Sequence, residues 1–227
     1  MIYSTTMNNA KRIFLILPIL FSVAIKADFN TIPFTPQEWE VIKYRKIKAN
    51  STRLQNDHVE IDVNQSAGSI IHTLKAPLYL EEIHLNFAHS GSLNLTKVKQ
   101  GEDGGDDFLL RVGLIYEGEE TLGFFTRKLA ANWLIKIFDK APKGSGISQI
   151  IFHNVVSDKS LLGKEGKSSA SKYMYNKNSF LAKRNLNLKI KPARKKKIIA
   201  IWLCTDGDET KSSFKIKLSN FRYKIKN

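Results

Sequence analysis

Short runs in which apolar and polar residues alternate recur along this chain, and they limit the folds it can adopt. Successive side chains of an extended strand point to opposite faces, so alternation is typical of a strand with one buried face. Alternating or wholly apolar segments occupy 58–63, 83–87, 108–116, 147–156, 186–190, 198–204 and 214–218. Many short strands separated by turns predict a mainly β protein, an antiparallel β-sandwich of jelly-roll type. Within it, residues 58–63 and 69–74 are expected to form a hairpin.

One segment, residues 121–138, departs from the two-residue period. Its apolar residues recur every three or four positions, at Leu122, Phe125, Leu129, Trp133 and Ile137. That spacing predicts one amphipathic helix packed on the sheet. The basic residues on its other face leave a second interpretation open, in which the helix lies on a membrane.

The N-terminus reads as an export signal. Two basic residues precede a mostly apolar run at 13–25, and Ala24 and Ala27 are small residues suited to cleavage. We therefore expect a signal peptide over 1–27 and a single β-sandwich domain over 28–227, located in the periplasm or secreted. The alternative is an uncleaved anchor, which the shortness of the apolar run disfavours. No transmembrane helix is expected in the mature chain.

The chain is strongly basic, with a formal charge of +15 and a pI near 9.8. Such an excess favours anionic partners. A basic run that ends in Lys195, Lys196 and Lys197 is the most concentrated source of this charge. Nucleic acid is an unlikely target after an export signal, so we expect an anionic envelope glycan or a lipid head group. A solvated loop is the alternative interpretation.

Two acidic segments flank predicted core strands. They contain Asp106 and Asp107 before one strand and Asp206, Asp208 and Glu209 after another. Clustered carboxylates suit calcium, so Asp106, Asp107, Asp206 and Asp208 are its candidate ligands. The alternative is that they are turn-forming acids and exposed ion pairs. A glycosidase pair needs one carboxyl with a raised pKa, and acids in Gly-rich loops are expected to be too solvated for that.

Further candidates for a ligand site come from charged and aromatic side chains. Asp107 and Arg111 share one face of the predicted strand at 108–116, about 13 Å apart in an extended chain. Trp202, Tyr173 and Tyr175 are candidates for stacking on a sugar, although Trp202 can equally belong to the core. The site residues we assign are therefore Asp107, Arg111, Trp202 and the three lysines 195–197.

Nucleophilic chemistry has one candidate, a pairing of Cys204 with His153. Cys204 is the only cysteine, so an intrachain disulfide is impossible. A buried thiol beside a core histidine is the more common arrangement, and no helix N-terminus is expected near the thiol to activate it.

The chain also resembles a known bacterial family. The matching features follow in order and are Phe34 with Trp39, Ser66-Ala67, Gly105-Asp-Asp-Phe108 with Arg111, residues 147–154, and Thr205-Asp206-Gly-Asp208 with Thr210 and Phe221. On these residues the chain is similar to the bacterial domain-of-unknown-function family 3047. The resemblance implies a secreted or periplasmic β-sandwich reminiscent of carbohydrate-binding modules. It transfers no catalytic residue, because no activity is established for the family.

Three functions remain open at this point. The first is a non-catalytic module that binds a glycan or another component of the cell envelope. The second is an exported polysaccharide hydrolase that uses the acidic loops, and the third is a structural or partner-binding module. The residues favour the non-catalytic module, and calcium is the one cofactor they suggest.

Overall fold

The structure, a computed structural model, describes residues 29–168, 171–193 and 195–226. The expected signal peptide therefore lies outside the described residues. In chain order the strands are β1 (Asn30–Thr31), β2 (Glu40–Ile42), β3 (Ser51–Gln55), β4 (His58–Asn64), β5 (Ala67–Leu78), β6 (Leu80–Ser92), β7 (Leu110–Gly118), β8 (Gly146–Val156), β9 (Glu165–Lys167), β10 (Met174–Leu181), β11 (Asn185–Ile190), β12 (Ile198–Asp206) and β13 (Ser213–Ile225). The helices are α1 (Phe124–Leu129), α2 (Asn132–Phe138) and a 3₁₀ turn over Lys159–Leu161.

These strands form two sheets, as expected for a β-sandwich. In the described residues one sheet has the order β11-β6-β13-β4-β3, with β1 beside β13. The other, the seven-stranded sheet, has the order β2-β5-β12-β7-β8-β10-β9. Among the strands named above, all pairings are antiparallel except that of β8 with β10. The long connection between those two strands is what a parallel pairing requires.

The prediction that β4 and β5 form a hairpin is wrong. β4 pairs with β3 and β13, whereas β5 pairs with β2 and β12 in the opposite sheet. The chain turns at Gln65, whose φ is 50°, and crosses from one layer to the other. A turn between two alternating segments marks the end of a strand, but it does not decide which strand becomes the neighbour.

The main core lies between the two sheets. Inward-facing side chains from both layers form one continuous apolar cluster, which includes Val59, Leu85, Ile216, Leu114, Ile201 and Val155. Burial of such side chains stabilises the fold by roughly 25 cal/mol per Å² of apolar surface removed from water. The alternating segments therefore bury one face of each strand in the core, as their two-residue period predicts.

A second apolar cluster covers the outer face of the seven-stranded sheet. Ile71, Phe152 and Trp202 belong to this cluster, and so do Ile137 and Phe138 of α2. The sheet is thus buried on both faces, which explains why β8 and β12 lack alternation. This outer face also carries the candidate functional site.

The single amphipathic helix expected over 121–138 is in fact two short helices. The backbone at Ala130 and Ala131 is extended and separates α1 from α2. α2 packs on the sheet, whereas α1 buries none of its residues against the described parts of the chain. Four of the five spaced apolar residues are helical, whereas Leu122 lies just before α1. α2 packs on the sheet through Ile137 and Phe138. Neither helix is long and apolar enough to cross a membrane, in the residues that the structure describes.

Candidate functional site

A cleft of about 210 Å³ opens on the outer face of the seven-stranded sheet, where β7 and β12 meet their acidic loops. Its walls come from Tyr44, Ile47, Ala67, Asp106, Asp107, Arg111, Trp133, Phe152, Met174, Trp202, Cys204, Asp206, Asp208 and Glu209. The two acidic segments that are far apart in the sequence thus meet at one place. Asp107, Arg111 and Trp202, three of the assigned site residues, line this cleft together.

Strand register arranges the floor of the cleft in two rows. Ser69, Cys204, Arg111 and Asn154 are direct neighbours across β5, β12, β7 and β8. The next row, two residues along each strand, is Ile71, Trp202, Gly113 and Phe152. A polar row therefore borders an apolar row, and the cleft combines both kinds of surface.

Arg111 is the positively charged group of the cleft, and its side chain is buried. Its guanidinium contacts the backbone oxygen and the carboxylate of Asp106, and it stacks on the Phe108 ring at 4.1 Å. Burial lowers the pKa of Arg111, but the charges of Asp206 and Asp106 outweigh burial and leave it raised. Arg111 is therefore a fixed cation, although its Nε has no hydrogen-bond partner among the described residues.

Asp206 is the acid that faces Arg111. Its Oδ1 accepts a hydrogen bond of 2.6 Å from the backbone N–H of Phe108, and its Oδ2 lies 3.6 Å from Arg111 Nε. Burial raises the pKa of Asp206 to about 7, and the neighbouring charge of Asp107 adds to this rise against the opposing effect of Arg111. The expectation that these loop acids are too solvated for a raised pKa is wrong for Asp206. Its carboxyl is only about one-fifth exposed (21%).

Asp107 holds the second acidic loop in place. Its Oδ2 accepts hydrogen bonds from the backbone N–H and the hydroxyl of Thr210, at 2.7 and 2.6 Å. In return Glu209 accepts a hydrogen bond of 2.8 Å from the backbone N–H of Asp106. Asp107 lies just before β7 rather than within it, and it is buried. This carboxylate is thus engaged by the protein, and its role in the described structure is to join two loops.

The four carboxylates proposed for calcium lie around this one cleft, but the oxygens of three of them are directed at protein groups. Asp106 pairs with Arg111, Asp107 with Thr210, and Asp206 with Phe108 and Arg111. Burial and the charge of Asp107 raise the pKa of Asp208. Within the described ranges, no group of three or more His, Cys, Asp or Glu side chains is arranged to hold a metal ion. Calcium binding stays a prediction.

Aromatic side chains form the other wall of the cleft. Trp202 is only 2% exposed, because Trp133 of α2 stacks over it at 5.7 Å between ring centroids and Phe152 lies 5.2 Å away. Trp202 is therefore the floor, and Trp133 and Tyr44 are the partly exposed aromatic residues of the cleft. Tyr173 instead packs on Phe138 at 5.0 Å, outside the cleft wall.

The basic loop lies far from the cleft. Lys195, Lys196 and Lys197 directly precede β12, whereas Asp206 ends it, so the length of the strand, roughly 26 Å, separates them. Lys196 donates to Gln149, and the Lys197 ammonium lies 5.7 Å from the Tyr79 ring centroid. The structure thus divides the six assigned binding residues between two distant places.

Cys204 and His153 do not form a nucleophilic pair. Arg111 is the register partner of both Cys204 and Asn154, so His153, the residue before Asn154, lies on the opposite face of the sheet. Burial raises the pKa of the Cys204 thiol, and burial lowers that of His153 to about 4. The sequence expectation of a buried, inert thiol is therefore the one that fits the described structure.

A second large cavity, of about 400 Å³, lies on the other sheet and has a different character. Four of its charged groups are paired with one another, since Arg53 contacts Glu60 and Asp62, and Lys215 contacts Asp62. The cleft at Arg111 is smaller, but it joins an aromatic wall to fixed polar groups. We therefore regard the Arg111 cleft as the candidate site.

Sequence reasoning missed Trp133 and Asn154. Trp133 was assigned to a helix packed on the sheet, and its place at the cleft rim depends on the break before α2. Asn154 lies in an apolar segment, and it is completely buried with its Oδ1 unpartnered among the described residues. An amide side chain among the apolar residues that end β8 was the signal available, because a buried group of this kind needs partners.

Comparison with known proteins bears only on the fold. No family model and no curated protein matches the chain. Among solved structures it is similar to a family 11 carbohydrate-binding module of a cellulosomal cellulase of Clostridium thermocellum, with 7% identity, coverage of 88% of this chain and 96% of that chain, and a TM-score of 0.43. A family 29 carbohydrate-binding module from Piromyces equi has 8% identity, coverage of 88% and 91%, and a TM-score of 0.32. At such values the similarity says nothing about ligands.

Proposed function

We propose that this protein is an exported, non-catalytic β-sandwich module that binds a glycan in the Arg111 cleft. The observation that carries the proposal is that Trp133 lines the same cleft as the fixed groups Arg111 and Asp206. A sugar ring has an apolar face that can stack on an indole, and its hydroxyls suit charged hydrogen-bonding groups. The cleft, at about 210 Å³, is smaller than the roughly 300–1,000 Å³ of drug-sized sites, so it suits a single ring.

Charge in the cleft favours a neutral sugar. Five acids, Asp106, Asp107, Asp206, Asp208 and Glu209, line it together with one cation, Arg111. An anionic glycan would be repelled there, in spite of the +15 charge of the whole chain. The anionic glycan or lipid expected from that charge needs a different surface, and the lysines at 195–197 are one candidate.

A third cavity lies next to the cleft at Asp106. It measures about 470 Å³ and shares Asp106 with the cleft, and Asn176 and Asn178 are among its lining residues. Amide side chains of this kind donate and accept hydrogen bonds, as sugar hydroxyls do. We therefore propose that the ligand is an oligosaccharide, one ring of which occupies the cleft.

The experiment is titration of neutral oligosaccharides and their monosaccharides against the purified protein, after a glycan-array screen. Trp133→Ala should weaken binding at least tenfold, because it removes the reachable aromatic wall. Tyr79→Ala is the matched control, since Tyr79 is an exposed aromatic residue near the distant basic loop. Neutral glycan binding should also survive replacement of Lys195, Lys196 and Lys197. Absence of glycan binding, or equal binding by Trp133→Ala, would refute the proposal.

The hydrolase alternative rests on one observation, the raised pKa of Asp206. A general acid must also present its proton to the leaving group. Both Asp206 oxygens instead face the protein, at Phe108 and Arg111. Prolonged incubation of a bound oligosaccharide should leave it intact. Cleavage that Asp206→Asn abolishes would establish the alternative.

Export and family membership are also proposals. The order of charge, apolar run and small residues at 1–27 supports export, and the mass of the processed chain should place cleavage after Ala24 or Ala27. The order of the motifs from Phe34 to Phe221 supports kinship with domain-of-unknown-function family 3047. Recovery of the unprocessed chain in the cytosol would contradict export.

A further inference from the structure

The helix α1 carries the most exposed apolar side chains in the described part of the molecule. Phe124, Phe125 and Leu129 are 69%, 79% and 90% exposed. Scattered single apolar residues are ordinary on a surface, but three large ones on six consecutive residues mark an interaction site. We propose that α1 docks on an anionic lipid surface. This proposal goes beyond glycan binding in the cleft and does not depend on it.

The basic residues in and after α1 indicate that the lipid surface is anionic. Arg127 and Lys128 follow the two phenylalanines, and α1 itself contains no acid. Arg127 is paired with Asp139 just after α2, so Lys128 is the cation that α1 offers to a surface. The Lys128 ammonium lies 4.3 Å from the Phe124 ring centroid, so cationic and apolar groups are adjacent. A cation beside aromatic and leucine side chains suits the boundary between lipid head groups and acyl chains. The segment that follows, 132–143, contains Lys136, Lys140 and Lys143, of which Lys136 and Lys140 are paired with Glu40.

The shape of α1 also favours a lipid surface over a folded partner. Six helical residues extend roughly 9 Å, far too short to span a bilayer. So short a helix cannot by itself provide the roughly 800 Å² per partner of a standard protein interface. Three protruding side chains can, however, enter the head-group region without a matching groove.

α1 can be altered without disturbing the fold, which makes the proposal testable. Since it buries none of its residues against the described parts of the chain, Phe124→Ser/Phe125→Ser/Leu129→Ser should leave the melting temperature unchanged. Leu162→Ser/Tyr79→Ser is the matched control, because both residues are exposed apolar side chains elsewhere. Each full-length protein is sedimented with vesicles of phosphatidylcholine, with and without 30% phosphatidylglycerol.

We expect the α1 variant to lose at least tenfold in affinity for the anionic vesicles, whereas the control variant binds like the wild type. Lys128→Glu should weaken binding to anionic vesicles more than binding to neutral ones. Equal binding by the wild type and the α1 variant would overturn the proposal. Self-association that only the α1 variant loses would assign the helix to a second copy of the chain, and would overturn it as well.

A local probe separates α1 from the apolar run at 13–25, which has its own affinity for membranes. The native Cys204 is buried, so a thiol-reactive polarity dye will label Phe125→Cys or, as a control, Leu162→Cys. Anionic vesicles should shift the emission of the dye at position 125 to the blue and leave that at position 162 unchanged. Equal responses at both positions, or none, would contradict insertion of α1.

Discussion

The Nε atom of Arg111 lies 3.6 Å from Oδ2 of Asp206, and the pairing of β7 with β12 creates this contact. Arg111 is the register partner of Cys204, and Asp206 is two residues further along the same strand face. The charged wall of the cleft is therefore positioned by the sheet itself. Rigid elements of this kind hold binding groups more precisely than loops do.

Arg111→Met should destabilise the protein by about 3–5 kcal/mol, as expected when one partner of a buried ion pair is removed. The side chain is only 8% exposed, and its loss leaves Asp106 and Asp206 without a cation. Urea unfolding at pH 8 measures the effect. The control is Arg53→Met, which breaks pairs whose arginine is half exposed and should cost less than about 1 kcal/mol.

Asp206→Asn in the Arg111→Met background tests whether the two side chains act on each other. The double variant should be more stable than Arg111→Met alone, because the uncompensated carboxylate is gone. Additive losses would show that the two side chains do not interact.

The raised pKa of Asp206 gives a pH dependence with a definite sign. Its pKa is about 7 in the folded chain, against 3.8 for an aspartate in water, so protonation favours the folded state. Protonated Asp206 stabilises the folded state fully below about pH 4, and this contribution disappears as the pH rises through 7. The free energy of unfolding falls by up to about 1.4 kcal/mol per pH unit over that window. Unfolding free energies of wild type and Asp206→Asn, measured from pH 4 to 8, should therefore diverge as the pH rises. Parallel curves would contradict the raised pKa.

The fold was predictable because alternation reports directly on burial. Each alternating segment became a strand. The structure adds a bulge in β13 between Ser219 and Arg222, where Asn220 has a φ of 52°. Pairing was not predictable, because β4 alternates in the same way whether or not β5 is its neighbour. The break at Ala130 and Ala131 also carries no glycine or proline signal, and contacts of α2 with the sheet decide it.

The site was predictable in its parts and not in its assembly. Asp106 and Asp206 stood out as loop acids, and Arg111 as a charge on a core strand. Their convergence depends on β7 lying beside β12, which no local pattern contains. For the lysines at 195–197, charge alone predicted an anionic partner. It could not predict that these lysines lie at the far end of β12 from the cleft.

Asp107→Ala should cost about 1–3 kcal/mol, because it leaves the backbone N–H and the hydroxyl of Thr210 without their acceptor. Hydrogen exchange should also rise at residues 207–212, which lose their tie to the loop before β7. The nearby exposed Asp103 supplies a control, since Asp103→Ala should change stability by less than about 0.5 kcal/mol. Equal stability of the two variants would show that Asp107 does not hold the loop.

Calcium should not raise the melting temperature of the protein. Binding would have to compete with Arg111 for Asp106 and Asp206, and with Thr210 for Asp107. Thermal unfolding in EDTA and in millimolar CaCl₂ makes the comparison. A rise in melting temperature that Asp208→Ala abolishes would instead establish the calcium site suggested by the sequence.

Gly113→Ala should destabilise the chain by roughly 1–3 kcal/mol through overpacking. A Cβ at Gly113 would lie 2.7 Å from the Phe152 ring, which itself packs against Trp202 under the cleft. Urea unfolding measures the loss, and altered tryptophan fluorescence should report the displaced rings. Gly166→Ala is the matched control, because a Cβ on that β9 residue meets nothing within 4 Å. If both variants were equally stable, the floor of the cleft would have to be looser than the close contact at Gly113 implies. The glycan proposal would then lose the rigid aromatic wall on which it depends.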